Sequence, residues 1–109
     1  MPNMAEVKFR DEPLIRKQLL LAHQIRQMLV SGQAKDLNQI SEWLGVSKAR
    51  LDQITNMLYL CPKIQEALIC GDSLKIEKIS EYALRPIAIE SDWQKQMAAW
   101  NILLTATSN

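Results

Sequence analysis

The chain has 109 residues, a formal net charge of +1, and 48% hydrophobic against 23% charged residues. That balance fits a soluble globular domain with one core and excludes a disordered chain. It also excludes a dedicated non-specific DNA binder, because phosphate neutralisation by a large basic excess supplies that affinity.

Residues 1–12 are mixed and charged without a hydrophobic period, and are expected to form a flexible N-terminal arm. Pro13 then opens the longest helix, which runs to Ser31. Leu14, Leu21, Ile25 and Met28 share one face of it, Ile15, Ala22 and Leu29 widen that face, and Gly32 closes the helix.

The stretch 37–60 is read as two short helices hinged at Gly45-Val46-Ser47. Asp36 is a plausible N-cap with Gln39 three residues on. Leu37, Ile40 and Leu44 fall on one side of the first helix, and Gly45 suits the left-handed residue that ends it. Ser47 caps the second helix, expected over 47–58, whose buried stripe is Leu51, Ile54 and Leu58.

Pro62 opens a further helix that ends at Gly71, with Ile64, Ala67 and Leu68 inward, followed by a short connection over 72–75. Ile76, Ile79, Ala83 and Leu84 suggest another helix, expected to stop before Arg85-Pro86 because a residue before proline disfavours the helical region. Residues 86–90 read as extended, and Ser91 with Gln94 as a capping box. The last helix places Trp93, Met97, Trp100 and Leu104 on one side, and 105–109 read as a frayed tail. The sum is an all-α domain over 13–104, a compact bundle of about six helices joined by short loops.

Two short helices joined by a tight turn are the build of a helix-turn-helix, which lays its second helix in the DNA major groove. On a wheel of the second helix, Ala49, Asp52, Gln53 and Asn56 point outward, with Lys48 and Arg50 on opposite flanks. Ala49 is small enough for close approach and can touch a thymine methyl, while Gln53 and Asn56 carry amides able to pair with adenine N6 and N7. Lys48 and Arg50 can reach phosphate or guanine, and Ser47 sits at a helix N-terminus that favours phosphate. Asp52 repels phosphate and is expected either to accept from cytosine N4 or to orient a neighbour. The simpler alternative is that this is a solvated polar face, which every surface helix possesses.

Leu37, Ile40, Ser41, Leu44, Gly45, Val46, Leu51 and Ile54 fall at the spacings of bacterial helix-turn-helix proteins. The following LYLCPKIQEALICGDSL resembles the segment after that motif in ParB/KorB-type partition proteins. The stretch YALRPIAIESDWQKQ is similar to a DNA-binding module attached to some bacterial serine recombinases. The resemblance covers about residues 19–97 and implies sequence-specific binding of double-stranded DNA through Lys48, Ala49, Arg50, Gln53 and Asn56. It further implies a cytoplasmic, nucleoid-associated protein of bacterial or phage type, serving regulation, partition or recombination targeting. The catalytic domain of a recombinase and the nucleotide-hydrolysing region of partition proteins are not in this sequence, so strand cleavage is not implied.

Trp93, Met97 and Trp100 are expected to pack in the core; the alternative is a partner surface, with the helix-turn-helix serving only as scaffold. Self-association there would match palindromic half-sites and double the phosphate contacts of a near-neutral chain. His23 is the only histidine and reads as a structural or surface residue; Cys61 and Cys70 lack metal-ligand or disulfide spacing and read as small core or half-buried residues. The carboxylates Glu77, Glu81, Glu90 and Asp92 are dispersed, and the serines sit at helix ends where capping explains them. No catalytic residue, metal, cofactor or small-molecule ligand is expected. No apolar run reaches the roughly 18 residues of a membrane span.

Overall fold

The computed structural model describes residues 12–107. Of the arm expected over 1–12, all but Glu12 lies outside them, as do the last two residues. Among the described residues are seven α-helices and no strand: α1 (Leu14–Val30), α2 (Leu37–Leu44), α3 (Lys48–Thr55), α4 (Pro62–Cys70), α5 (Ser73–Ile76), α6 (Glu81–Ala88) and α7 (Trp93–Thr107). A 3-10 turn, Asn56–Tyr59, follows α3 directly. The all-α class expected from the sequence is what the chain adopts. None of these helices is long and apolar enough to cross a membrane.

Helix α1 is the axis of the fold. Its inner line is Ile15, Leu19, Ala22 and Ile25, all buried. This line is rotated from the expected face, since Leu14 is exposed and Leu21 and Met28 are half-buried. The apolar arc of α1 is wider than any one contact, and α1 packs on α3, α4 and the 3-10 turn together. The centre of that combined contact picks the buried line.

Two apolar clusters result. The larger runs from the N-terminal half of α1 through Ile54, Met57, Leu60, Ile64 and Leu68 to Ile76, Ile79, Leu84, Ile87 and Trp100. The smaller holds Ile25, Ala34, Ile40 and Leu51, with Leu37 and Val46 at its margin. Helix α3 places Leu51 in one cluster and Ile54 in the other, so its orientation is set from both. Leu44, expected inward, is exposed. It is the last residue of α2 and does not join the small cluster.

Burying this much chain leaves polar groups that need partners, and three side chains, Arg16, Gln65 and Gln96, meet part of that need. Arg16 donates from Nε to the Leu68 carbonyl (2.8 Å), from Nη2 to the Gly71 carbonyl (2.7 Å) and from Nη1 to Ser73 Oγ (3.2 Å). It also pairs with Glu12. The last carbonyls of a helix lack intrahelical donors, and a cation at that end is favourable; Arg16 therefore closes α4 from α1.

Gln65 and Gln96 hold the turn after α3. Gln65 Nε2 donates to the Leu58 and Leu60 carbonyls at 3.2 and 2.8 Å. Gln96 is buried; its Oε1 accepts from the Cys61 amide at 2.7 Å, while Nε2 donates to the Tyr59 and Glu90 carbonyls. No buried side-chain nitrogen or oxygen among the described residues is left without a partner.

Several expected boundaries move. The helix of 47–58 is α-helical only to Thr55; Asn56 and Leu58 belong to the 3-10 turn, and Met57 takes the buried place assigned to Leu58. The connection at 72–75 contains most of α5, capped by Asp72, whose side chain accepts from the Leu74 amide. Residues 86–88 are helical, not extended: α6 continues through Pro86 to Ala88. An internal proline removes one N–H, here the partner of the Tyr82 carbonyl, and typically costs about 3 kcal/mol. Tyr82 and Pro86 both face solvent, where water can serve that carbonyl, while Leu84, Ile87 and Ala88 are buried and hold the helix together.

At α7, Asp92 rather than Ser91 caps the helix, accepting from the Gln94 amide at 2.9 Å. The helix runs on to Thr107, past the expected start of the frayed tail.

Candidate nucleic-acid interface

Helices α2 and α3 are joined by Gly45, Val46 and Ser47 alone. Gly45 has φ +67°, the left-handed region that a side chain disfavours, and its amide donates to the Ser41 carbonyl at 2.9 Å. Ser41 Oγ donates to the Val46 carbonyl, locking the turn from α2. The Ser47 hydroxyl accepts from the Arg50 amide at 3.1 Å, which is the cap expected of it. Asp36 likewise accepts from the Gln39 amide. The Gln39 side chain turns to the Lys35 amide, one residue before the cap.

The candidate contact residues separate into two groups. Ser47, Lys48, Ala49, Asp52 and Asn56 are exposed; Arg50 and Gln53 are half-buried. Ala49 and Asn56 form the crest of α3 and the turn after it. Asp52 leans to one side, where with Asn56, Thr55 and Tyr59 it lines a groove against Arg26 and Leu29 of α1. Among the described residues its carboxylate makes no salt bridge, so it does not orient Arg50 or Lys48.

Arg50 and Gln53 lean to the other side, against α6, and are already engaged. Arg50 Nη1 pairs with Glu81 Oε1 and reaches Gln53 Oε1 at 3.2 Å. Arg85 donates from Nε to Glu81 Oε2 (2.6 Å), and from Nη2 to Glu81 Oε1 (3.0 Å) and Gln53 Oε1 (3.1 Å). The Arg85 guanidinium also lies over the Tyr82 ring, 5.2 Å from its centroid. The hydrogen bond from Arg85 is the main influence holding the Glu81 carboxyl below its ordinary value, with Arg50 adding to it against the opposing effect of burial. The same hydrogen bond raises Arg85 further.

Neither Glu81 nor Arg85 stands out in the sequence as a site residue. The visible signal is their i,i+4 spacing, the arrangement of a helical ion pair. It is obscured because Arg85 precedes a proline and reads as the end of a helix. The bidentate pairing of Gln53 with adenine requires a free Oε1, and that oxygen is occupied by two guanidinium groups.

The tryptophans divide. Trp100 is in the large core, Met97 is half-buried and Trp93 is exposed. Trp93 lines a groove with Asn56, Tyr59, Ile89 and Glu90, and Tyr59 and Ile89 are exposed as well. His23 is on the surface with Nε2 2.8 Å from Gln65 Oε1, and Cys61 is buried while Cys70 is exposed. Among the described residues no group of His, Cys, Asp and Glu is placed to hold a metal ion.

No family model, no curated protein and no solved structure matches the chain.

Proposed function

We propose that the chain binds double-stranded DNA sequence-specifically through α2 and α3, with α3 in the major groove, as a small regulator or a targeting module resembling the partition- and recombinase-associated type. The observation that carries this reading is the surface of α3. A capped, tightly hinged helix and the turn after it present Lys48, Ala49 and Asn56 to solvent beside two half-exposed arginine side chains, Arg50 and Arg85. Side chains of this kind on a short projecting helix suit the base edges and flanking phosphates of a major groove.

With a net charge of +1, affinity for any one site depends on few phosphate contacts and falls with salt. Selection of bound duplexes from a random pool at low salt tests the reading. Enrichment of a defined site, lost when Lys48, Arg50 and Gln53 are replaced together by alanine, is the expected result. Unchanged binding of the triple variant would overturn it.

One observation favours a second reading, a protein-interaction module. Tyr59, Ile89 and Trp93 are exposed around one groove, and aromatic groups are enriched at interface cores. A Trp93→Ala variant that loses a sedimenting dimer or a bound protein partner, with duplex retention unaffected, would support that use of the α6–α7 corner.

A further inference from the structure

We infer that Gln53, Arg50 and Arg85 form a donor-only clamp that takes the two-acceptor edge of a guanine, O6 and N7, in the major groove. This rests on the DNA-binding reading above and specifies which chemistry the α6 side of α3 recognises.

The orientation of the Gln53 amide is forced. A guanidinium carries N–H donors and no acceptor. Two of them, from Arg50 and Arg85, meet the far end of Gln53 at 3.2 and 3.1 Å. Only the oxygen can face them; a flipped amide would set its NH2 group against two cations. The Gln53 NH2 is therefore turned away from both arginines. An amide with a free oxygen beside its NH2 reads adenine by giving one hydrogen bond and taking another. Here the accepting half is spent inside the protein and only donors remain.

The other members present the same polarity. Among the described residues, the side-chain acceptors that Arg50 and Arg85 meet are Glu81 and the Gln53 oxygen, and both Glu81 oxygens are consumed by the two arginines. Its side chain is 5% exposed, against 34% for Arg50 and 39% for Arg85. Arg85 uses Nε and Nη2 internally and Arg50 uses Nη1, which leaves Nη1 of Arg85 and Nη2 of Arg50 without partners among the described residues. Two guanidinium groups over one carboxylate also leave the cluster with a net positive charge.

A surface that offers donors and withholds acceptors discriminates among bases by what each places in the groove. Guanine shows two adjacent acceptors and no donor. Adenine sets its N6 amino group beside N7, and cytosine shows an amino group alone; either amino group would meet the clamp donor to donor. A phosphate is likewise acceptor-only, so the same chemistry exists on the backbone of the same duplex, and the test separates the two. The first turn of α3 carries Arg50 and the second carries Gln53, which places the clamp at the helix that enters the groove.

The test uses the full chain and duplexes selected from a random pool at low salt. Expected are an enriched guanine position and a loss of affinity of roughly tenfold or more when that guanine becomes adenine. A smaller loss is expected when it becomes 7-deazaguanine, which lacks the N7 acceptor. Gln53→Met, similar in shape but without donors, should abolish most of that discrimination, with the thermal melt followed by circular dichroism as the check on folding. Arg85→Lys, which keeps the charge and removes the fork, should reduce it in part.

Three outcomes would overturn the clamp. An enriched adenine whose preference disappears in Gln53→Met would show that the amide reads in the other sense. Affinity falling equally on every duplex, with no guanine position, would make the cluster a phosphate contact; in both cases DNA binding itself survives. Failure of the unaltered chain to retain any duplex at low salt would remove the DNA-binding reading together with the clamp.

Discussion

Arg16 and Glu81 are both charged groups taken largely out of water, and they are satisfied in opposite ways. Arg16 directs its donors inward, to two backbone carbonyls near the end of α4, a hydroxyl of α5 and one carboxylate. Glu81 is met by two arginines whose side chains remain half-exposed. The first arrangement completes helix ends and leaves little to offer a ligand. The second fixes the position of cations that still face solvent. A buried charge whose partners are backbone groups is thus doing structural duty, whereas one whose partners are half-exposed side chains of opposite sign organises a surface.

The largest effect is expected at Arg16. Arg16→Met leaves the Leu68 and Gly71 carbonyls without their charged donor, and a stability loss of about 3–5 kcal/mol is expected in urea titration. Binding by the remaining folded fraction should be unchanged. A loss below about 1 kcal/mol would show that water replaces the clamp at little penalty, and Arg16 would then be no different from a surface residue.

Glu81→Gln is the matching substitution at the other site. It removes the charge that holds Arg50 and Arg85 and should lower stability by about 1–3 kcal/mol, while steepening the salt dependence of duplex binding because two uncompensated cations now face the DNA. Its pH signature sharpens the contrast. Glu81 has a folded value below its ordinary one. The stability its pairs supply is therefore fully present above the unfolded value of about 4.3, and is lost as pH falls through the lower folded value. Acid titration of the unfolding free energy should show this loss in the unaltered chain and less of it in Glu81→Gln. Identical acid limbs would remove Glu81 as a source of stability.

The smallest effect is expected at Asp52, exposed and on the other side of α3. Asp52→Asn should change stability by less than about 0.5 kcal/mol and raise duplex affinity modestly by removing a repulsive charge. A weakened affinity confined to duplexes with one particular base would instead mark Asp52 as accepting from a cytosine amino group.

The sequence made the helices legible where a cap and a period agree: Asp36, Gly45 and Ser47 mark the ends of α2 and α3, and the structure uses each of them. It misled where two local rules competed with packing. Pro86 and the residue before it argue for a break, but burial of Leu84, Ile87 and Ala88 carries α6 through it. Likewise the wheel placed Leu44 and Trp93 on apolar sides of their helices, yet both are exposed, because a wheel does not show where the covering core ends. The site was half legible. Ala49, Asp52 and Asn56 are exposed where a single-helix wheel places them outward, and so is Lys48 on the flank. The engagement of Arg50 and Gln53 is not a property of α3 alone; it comes from Glu81 and Arg85, roughly thirty positions along the chain.

The bond from the Cys61 amide to Gln96 Oε1 spans the chain between the turn after α3 and α7. Because that amide is protected by a side chain and not by a helix ladder, its exchange with deuterated solvent tracks the docking of α7, independently of whether α3 or α4 frays. The same glutamine holds the Tyr59 carbonyl, so whatever loosens α7 also frees the anchor of the turn beside Asn56. Exchange at the Cys61 amide therefore reports how often α7 undocks, and with it how often the turn beside Asn56 loses its anchor.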